Sequence, residues 1–63
     1  MTNPAQDEFE PGDLVRVKLA SWVYLAIVER RRDDGYLKAR QVDDLEHVRW
    51  VSPSWLELVQ RAN

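Results

Sequence analysis

Apolar and polar residues alternate along several short stretches of this chain, with the period of two that half-buried β-strands show. In residues 14–19, Val15, Val17 and Leu19 fall on one face, and Arg16 and Lys18 fall on the other. The stretch 36–42 alternates in the same way. Read by this rule, the chain is predicted to contain five strands, at 14–19, 22–31, 36–42, 47–51 and 56–59.

Turn signals separate these stretches. Pro11-Gly12 suits a β-turn, because proline presets φ at the first central position and glycine accepts a positive φ at the next. Asp34-Gly35, between two strand-like runs, predicts a tight hairpin. Ser52-Pro53-Ser54-Trp55 cannot continue a central strand, since proline has no N–H to donate, and it suits one turn of 3-10 helix.

Residues 55–62 allow two interpretations. Ser54 as an N-cap, with Glu57 at the capping-box position, would suit a short helix. A run of about eight residues is too short to form a stable helix on its own. We therefore expect a fifth strand here and keep the helix as the alternative.

Five short strands joined by tight turns are economically arranged as a closed barrel, because closure removes exposed strand edges. The predicted fold class is all-β: a five-stranded barrel with a 3-10 turn before the last strand. Residues 9–63 are expected to form one small domain. Residues 1–8 are polar and aperiodic, and they are predicted to be a flexible acidic leader.

The chain is 63 residues long, so its core is expected to be marginal. It has no cysteine and a single histidine, His47, which leaves disulfides out and gives no support for a metal site. Association with another chain is the remaining common source of stability for so small a domain. No cofactor, membrane span or secretory signal is indicated, and cytoplasm is the default location.

Charge is distributed unevenly along the chain. Residues 1–13 carry four acidic side chains and no cation, whereas residues 14–63 carry nine basic against seven acidic. The predicted domain is therefore mildly basic, well short of the balance typical of dedicated nucleic-acid binders.

The order of these features resembles the Src-homology-3-like superfold. The resemblance rests on Phe9, the phrase Pro11-Gly12-Asp13-Leu14-Val15, the Asp-Gly hairpin, and Val48, Pro53 and Leu56 near the end. Tudor, KOW and retroviral-integrase C-terminal domains open with a similar phrase and close with a 3-10 turn. The resemblance spans residues 9–59 and implies a small barrel, with little about chemistry.

The layout from Phe9 to Asn63 is also similar to the plasmid-borne type II dihydrofolate reductases, small barrels that assemble as tetramers around one pore. The matching positions are Phe9, Gly12-Asp13, Val15-Arg16, Trp22, Gly35-Tyr36, Val48 and Leu56-Glu57. That family's pore carries Val-Gln-Ile-Tyr, where this chain reads Val48-Arg49-Trp50-Val51. Its first-strand lysine would fall on Val17 or Lys18. The resemblance implies a barrel and tetramer-like assembly, and the missing pore residues speak against reductase activity.

The second predicted strand is apolar on both faces, which is unusual because a strand of a small antiparallel sheet buries one face and wets the other. One face carries Val23, Leu25 and Ile27, and the other carries Trp22, Tyr24, Ala26 and Val28. Either the strand bends, so that its inward side changes along its length, or its outer face contacts a partner. For the second case the predicted partner-binding residues are Trp22, Tyr24, Ala26 and Trp50.

A basic strip is the second candidate site. Basic side chains beside aromatic ones suit single-stranded nucleic acid. The predicted residues are Arg30, Arg31, Arg32, Lys38, Arg40 and Arg49, with Tyr36 and Trp50 as stacking surfaces. The alternative is a solvated face balanced by Glu29, Asp33 and Asp34.

No catalytic motif stands out. The pairs Asp33/Asp34 and Asp43/Asp44 lie in predicted turns, where aspartate bonds its own backbone, and no serine or cysteine motif accompanies His47. The sequence favours a non-catalytic interaction or assembly domain, whose partner is another protein or a second copy. Nucleic-acid binding is the alternative, and an oligomeric pore enzyme comes third.

Overall fold

The computed structural model describes residues 9–62. Those residues are all-β, with five antiparallel strands and no α-helix. The elements are β1 Leu14–Lys18, β2 Val23–Arg31, β3 Leu37–Gln41, β4 Val48–Val51, a 3-10 turn Pro53–Trp55, and β5 Leu56–Gln60. The predicted all-β class, the five strands and the position of the 3-10 turn are confirmed, and the segment after Trp55 is a strand rather than a helix. The predicted leader at 1–8 lies outside the described residues.

The strands form one sheet in the order β4-β3-β2-β1-β5. β2 lies at its centre, and β4 and β5 form its two edges without pairing to each other. The expected closure into a barrel is therefore wrong for the described chain: the sheet is open between β4 and β5. Closure of a barrel removes exposed strand edges, but this advantage does not determine whether β4 and β5 pair.

The sheet must nevertheless curl strongly. A 3-10 turn rises about 2 Å per residue and extended chain about 3.5 Å, so Val51 and Leu56 are at most about 13 Å apart. In a flat sheet, four strand spacings of about 4.8 Å would separate the two edges by about 19 Å. The short connection thus draws the edges together and creates a concave inner face.

The two predicted turns form as their glycines require. Gly12 has φ +96° and Gly35 has φ +93°, a region that side chains rarely adopt. At the hairpin, the Gly35 N–H donates to the Arg32 carbonyl and the Arg32 N–H donates to the Tyr36 carbonyl. The hairpin therefore sets the pairing of β2 with β3.

The core lies on the concave face. Its members are the buried apolar side chains of the three central strands, joined by Phe9 from before β1 and Val51 from the edge strand β4: Phe9, Val15, Val17, Tyr24, Ala26, Val28, Leu37, Ala39 and Val51. Within each central strand they occupy alternate positions, as the period-two pattern predicts.

One buried carboxylate ties the two ends of the described chain together. Asp13 is 1% exposed and accepts hydrogen bonds from the Glu10 N–H, the Ala62 N–H and the Arg61 guanidinium. A Cβ added to Gly12 would lie 2.8 Å from the Ala62 Cβ. We call the hydrogen bonds of Asp13, together with the close approach of Gly12 to Ala62, the Asp13 latch. These contacts join the turn before β1 to the segment after β5.

Candidate interaction face

The two faces of β2 have different environments although both are apolar. Tyr24, Ala26 and Val28 point into the core, with 6%, 0% and 1% of their surface exposed. The sequence prediction had placed Tyr24 and Ala26 on the outer face, and the structure corrects this: the outward residues are the alternate set. Both sets are equally apolar in sequence, so periodicity could not decide which one the curled sheet encloses.

The outward set is a row of three aliphatic side chains, Val23, Leu25 and Ile27, which we call the apolar row. They are exposed by 54%, 39% and 36% respectively. Val42 extends the apolar surface, because its N–H donates to the Leu25 carbonyl across the sheet and its side chain is exposed. Leu14, the β1 partner of Ile27, is half-buried beside it.

An ion pair borders the apolar row on the β1 side. Arg16 pairs with Leu25 in the sheet and also with Glu57 on β5. The Arg16 guanidinium lies 2.7 Å from a Glu57 carboxylate oxygen. This hydrogen bond lowers the pKa of Glu57 below its ordinary value of 4.5, and the charges of Lys18 and Arg16 act in the same direction.

A second ion pair borders the row on the β3 side. Arg40 pairs with Ile27 in the sheet, and its guanidinium donates to both carboxylate oxygens of Glu29 and to the Leu45 carbonyl. The hydrogen bond from Arg40 lowers the pKa of Glu29. The apolar row thus lies between two arginine–glutamate pairs, one on each side.

A register shift between Val28 and Arg30 changes the character of β2. Beyond this bulge Arg30 pairs with Lys38, and Lys38 pairs with Trp50. Paired residues of neighbouring strands share a face, so these three side chains form one outward row across the sheet. Trp50, predicted to bind a partner, is half-buried in this row.

Arg32 covers the aromatic part of this region. Its guanidinium lies 4.5 Å from the centroid of the Trp50 ring and 5.4 Å from that of Tyr36. Asp34 accepts hydrogen bonds from it at 2.8 and 3.1 Å, and the Tyr36 N–H also donates to Asp34. The bond from Arg32 lowers the pKa of Asp34. The hairpin therefore holds the planar Arg32 guanidinium against the rings of Trp50 and Tyr36.

The remaining predicted strip residues are not brought into this region as free cations. Arg31 pairs with the buried Leu37 in the sheet, and its guanidinium lies 3.7 Å from Glu10. Arg49 pairs with the buried Ala39, which places it on the inner side of the edge strand. The guanidinium of Arg40 is bound to Glu29 on the outer face.

Trp22 belongs to an aromatic cluster at one end of the sheet. Its ring centroid lies 4.8 Å from Tyr24 and 5.0 Å from His47, which stacks on it at 30°. The His47 ring also bonds Gln41 through Nδ1. Trp22 is 46% exposed, whereas the Tyr24 hydroxyl is buried without a hydrogen-bond partner. Burial raises the pKa of Tyr24, against the opposing charge of Arg49.

Sequence reasoning missed the Arg16–Glu57 ion pair and the Asp13 latch. Glu57 follows Arg16 by forty-one positions and Ala62 follows Asp13 by forty-nine, so only the pairing of β1 with β5 brings them together. The alternating pattern already placed Arg16 outward, but it gave no sign of its partner.

Residues 9–62 contain no group of three histidine, cysteine, aspartate or glutamate side chains that could hold a metal ion. The same residues include no helix long and apolar enough to cross a membrane. Comparison with family models, with curated proteins and with solved structures gave no match for this chain.

Proposed function

We propose that this chain is an assembly domain, and that the apolar row of β2 docks against a second copy of the chain. The observation that carries the proposal is the exposure of Val23, Leu25 and Ile27 on the central strand of the sheet. A central strand of a half-wetted antiparallel sheet ordinarily presents polar residues on its outer face. Here all three outward positions before the bulge are aliphatic.

The surroundings of the row support a protein partner. Interfaces between proteins combine an apolar centre with a polar rim. The apolar row supplies such a centre, and the pairs Arg16–Glu57 and Arg40–Glu29 supply charged borders on both sides. The rim makes the contact specific in orientation, since misplaced like charges oppose wrong arrangements.

The charge balance of the rim supports a second copy rather than a strongly acidic or strongly basic partner. Each border holds one cation and one anion, so the rim as a whole selects neither an acidic nor a basic surface. A two-fold axis parallel to β2 would set the Arg16–Glu57 border of one copy against the Arg40–Glu29 border of the other. Each arginine could then reach a carboxylate of the other copy, which is the self-complementarity that a two-fold interface needs.

Stability gives a second reason for self-association. Small domains without disulfides or metals commonly gain stability by oligomerisation. Burying about three aliphatic side chains removes their apolar surface from water. Each Å² removed stabilises the dimer by roughly 25 cal/mol. This gain offsets part of the cost of bringing two chains together.

We further interpret the curled, open sheet as a Src-homology-3-like barrel. The interpretation rests on the five short antiparallel strands, the Pro11-Gly12 turn before β1 and the 3-10 turn that connects the two edge strands. In such a fold the outer face of β2 is available for contacts, as the proposed assembly requires.

The proposal is tested by the molar mass in solution, measured by size-exclusion chromatography with light scattering over a concentration series. The parent chain is expected to form a dimer or higher oligomer whose population rises with concentration. Leu25→Lys is expected to shift it to monomer, because an ammonium group would be buried against a second copy.

Trp55→Gln is the matched control, because Trp55 is 37% exposed, close to the 39% of Leu25, and lies in the 3-10 turn outside the sheet face. It is expected to leave the mass unchanged. Circular dichroism would establish that both variants keep the β-fold. A monomeric parent at every concentration, or equal effects of the two substitutions, would overturn the proposal.

A further inference from the structure

A basic and aromatic surface lies beside the apolar row, beyond the bulge of β2. Five residues form it, and we call it the hairpin platform: Arg30, Arg32, Tyr36, Lys38 and Trp50. The sheet register places Arg30, Lys38 and Trp50 in one outward row. The contacts of Arg32 with Trp50 and Tyr36 place the hairpin on the same side.

The cations of the platform differ in how they are neutralised. Arg32 is bound to Asp34. Within residues 9–62, Arg30 and Lys38 have no carboxylate within ion-pair distance, and the neighbouring Glu29 is bound to Arg40. The platform therefore offers two cations that form no ion pair within the described residues, next to an ordered plane of aromatic and guanidinium groups.

We propose that the hairpin platform binds single-stranded nucleic acid. Proteins that hold single strands combine cations along the phosphate backbone with flat groups on which bases stack. Arg30 and Lys38 are placed to contact phosphates. The Arg32 guanidinium, laid over the half-exposed rings of Tyr36 and Trp50, provides the stacking surface.

The ordering of Arg32 distinguishes this surface from a solvated basic face. Free arginine side chains on a surface lose rotamer entropy when a ligand fixes them. Asp34 holds the Arg32 guanidinium with three hydrogen bonds, and Asp34 is itself fixed by the Tyr36 N–H. A base would therefore meet a surface that is already organised, and arginine planes stack on bases as aromatic rings do.

The test is fluorescence anisotropy of a labelled fifteen-nucleotide thymidylate strand titrated with the full chain at several salt concentrations. Two phosphate contacts, from Arg30 and Lys38, predict that log K falls with log salt with a slope of roughly −1.4. Trp50→Leu is expected to weaken binding about tenfold, because it removes the ring that supports the Arg32 plane on which a base stacks. The double variant Arg30→Gln/Lys38→Gln is expected to weaken it similarly and to flatten the salt dependence.

Two matched controls separate the platform from general effects. Arg49→Gln removes a cation on the inner side of β4, and Trp55→Leu removes an exposed tryptophan outside the sheet; each is expected to change binding less than twofold. Leu25→Lys tests the proposed assembly separately, through the molar mass. The two proposals can therefore fail separately: the molar mass reports on assembly, and binding of the thymidylate strand reports on the hairpin platform.

Three results would overturn the proposal. The first is undetectable binding of the thymidylate strand at about 20 mM salt, where phosphate contacts are strongest. The second is an equal loss from Arg49→Gln, which would mean a diffuse charge effect. The third is binding of inorganic polyphosphate as tight as that of the thymidylate strand and insensitive to Trp50→Leu, which would assign the surface to a polyanion without stacking.

Discussion

The two faces of β2 carry similar residues and meet opposite environments. Tyr24, Ala26 and Val28 are enclosed by the curled sheet, whereas Val23, Leu25 and Ile27 remain open to solvent. Apolar composition alone therefore does not identify a core residue in a small sheet. The direction in which the sheet curls decides it, and that direction depends on the connection between β4 and β5 as well as on β2 itself.

The largest change in the free energy of unfolding is expected at the Asp13 latch. Asp13→Ala removes the acceptor of two backbone N–H groups and the Arg61 guanidinium. We expect it to lower the free energy of unfolding by about 3 kcal/mol, because three part-buried hydrogen bonds to one carboxylate are lost together. Urea denaturation would measure this. Asp33→Ala, at an exposed turn position, is the control and should change stability by less than about 0.5 kcal/mol.

A matched pair of substitutions on β2 tests the difference between its faces directly. Val28→Ala should cost about 2 kcal/mol, since it leaves a cavity in the core. Val23→Ala, the same chemical change at 54% exposure, should cost less than about 0.5 kcal/mol in dilute protein. Thermal denaturation of both variants at low concentration would show it. Equal losses would mean that the inner and outer faces are not assigned as described.

Tyr24 places an unsatisfied polar group on the inner face. Its hydroxyl is buried without a hydrogen-bond partner, so Tyr24→Phe should raise stability by about 1 kcal/mol. Burial raises the pKa of Tyr24 above 10.0 in the folded chain. The unfolded chain therefore loses this proton first, and stability should fall as pH rises above about 10. Chemical denaturation between pH 8 and pH 11 would reveal the decline, which the phenylalanine variant should lack. Destabilisation by Tyr24→Phe would contradict this account.

The smallest effect is expected on the outer face. Hydrogen bonds from arginine lower the pKa of Glu29 and of Glu57 below 4.5 in the folded chain. Their contribution to stability is present above the unfolded pKa and is lost as pH falls through the folded pKa. Stability should therefore decline modestly as pH falls below about 4.5. The double variant Glu29→Gln/Glu57→Gln should show a weaker decline in acid denaturation curves, and an unchanged decline would exclude these pairs as its source.

Local signals made the strands and turns predictable. Alternation gave the strands, and Pro11-Gly12 and Asp34-Gly35 gave the turns, because each depends on residues close in sequence. Closure of the barrel was predicted wrongly. It depends on whether β4 and β5 pair, and neither strand carries a local sign of that contact.

The candidate sites were predictable only in part. The two-sided character of β2 was visible in sequence, but the choice of Tyr24 and Ala26 as outward residues was wrong. The basic strip was predicted as one set, and the structure divides it: the bulge aligns Arg30 with Lys38, while Arg49 falls on the inner side. A single-residue shift in register decides such assignments.

The most direct test of the proposed assembly is an isotope-filtered NMR experiment on a mixture of labelled and unlabelled chains. It detects nuclear Overhauser effects only between different copies. We predict intermolecular effects from the methyl groups of Val23, Leu25 and Ile27, and none from those of the buried Val28. The absence of effects at the apolar row, or their appearance at a different surface, would contradict the claim that this row joins two copies.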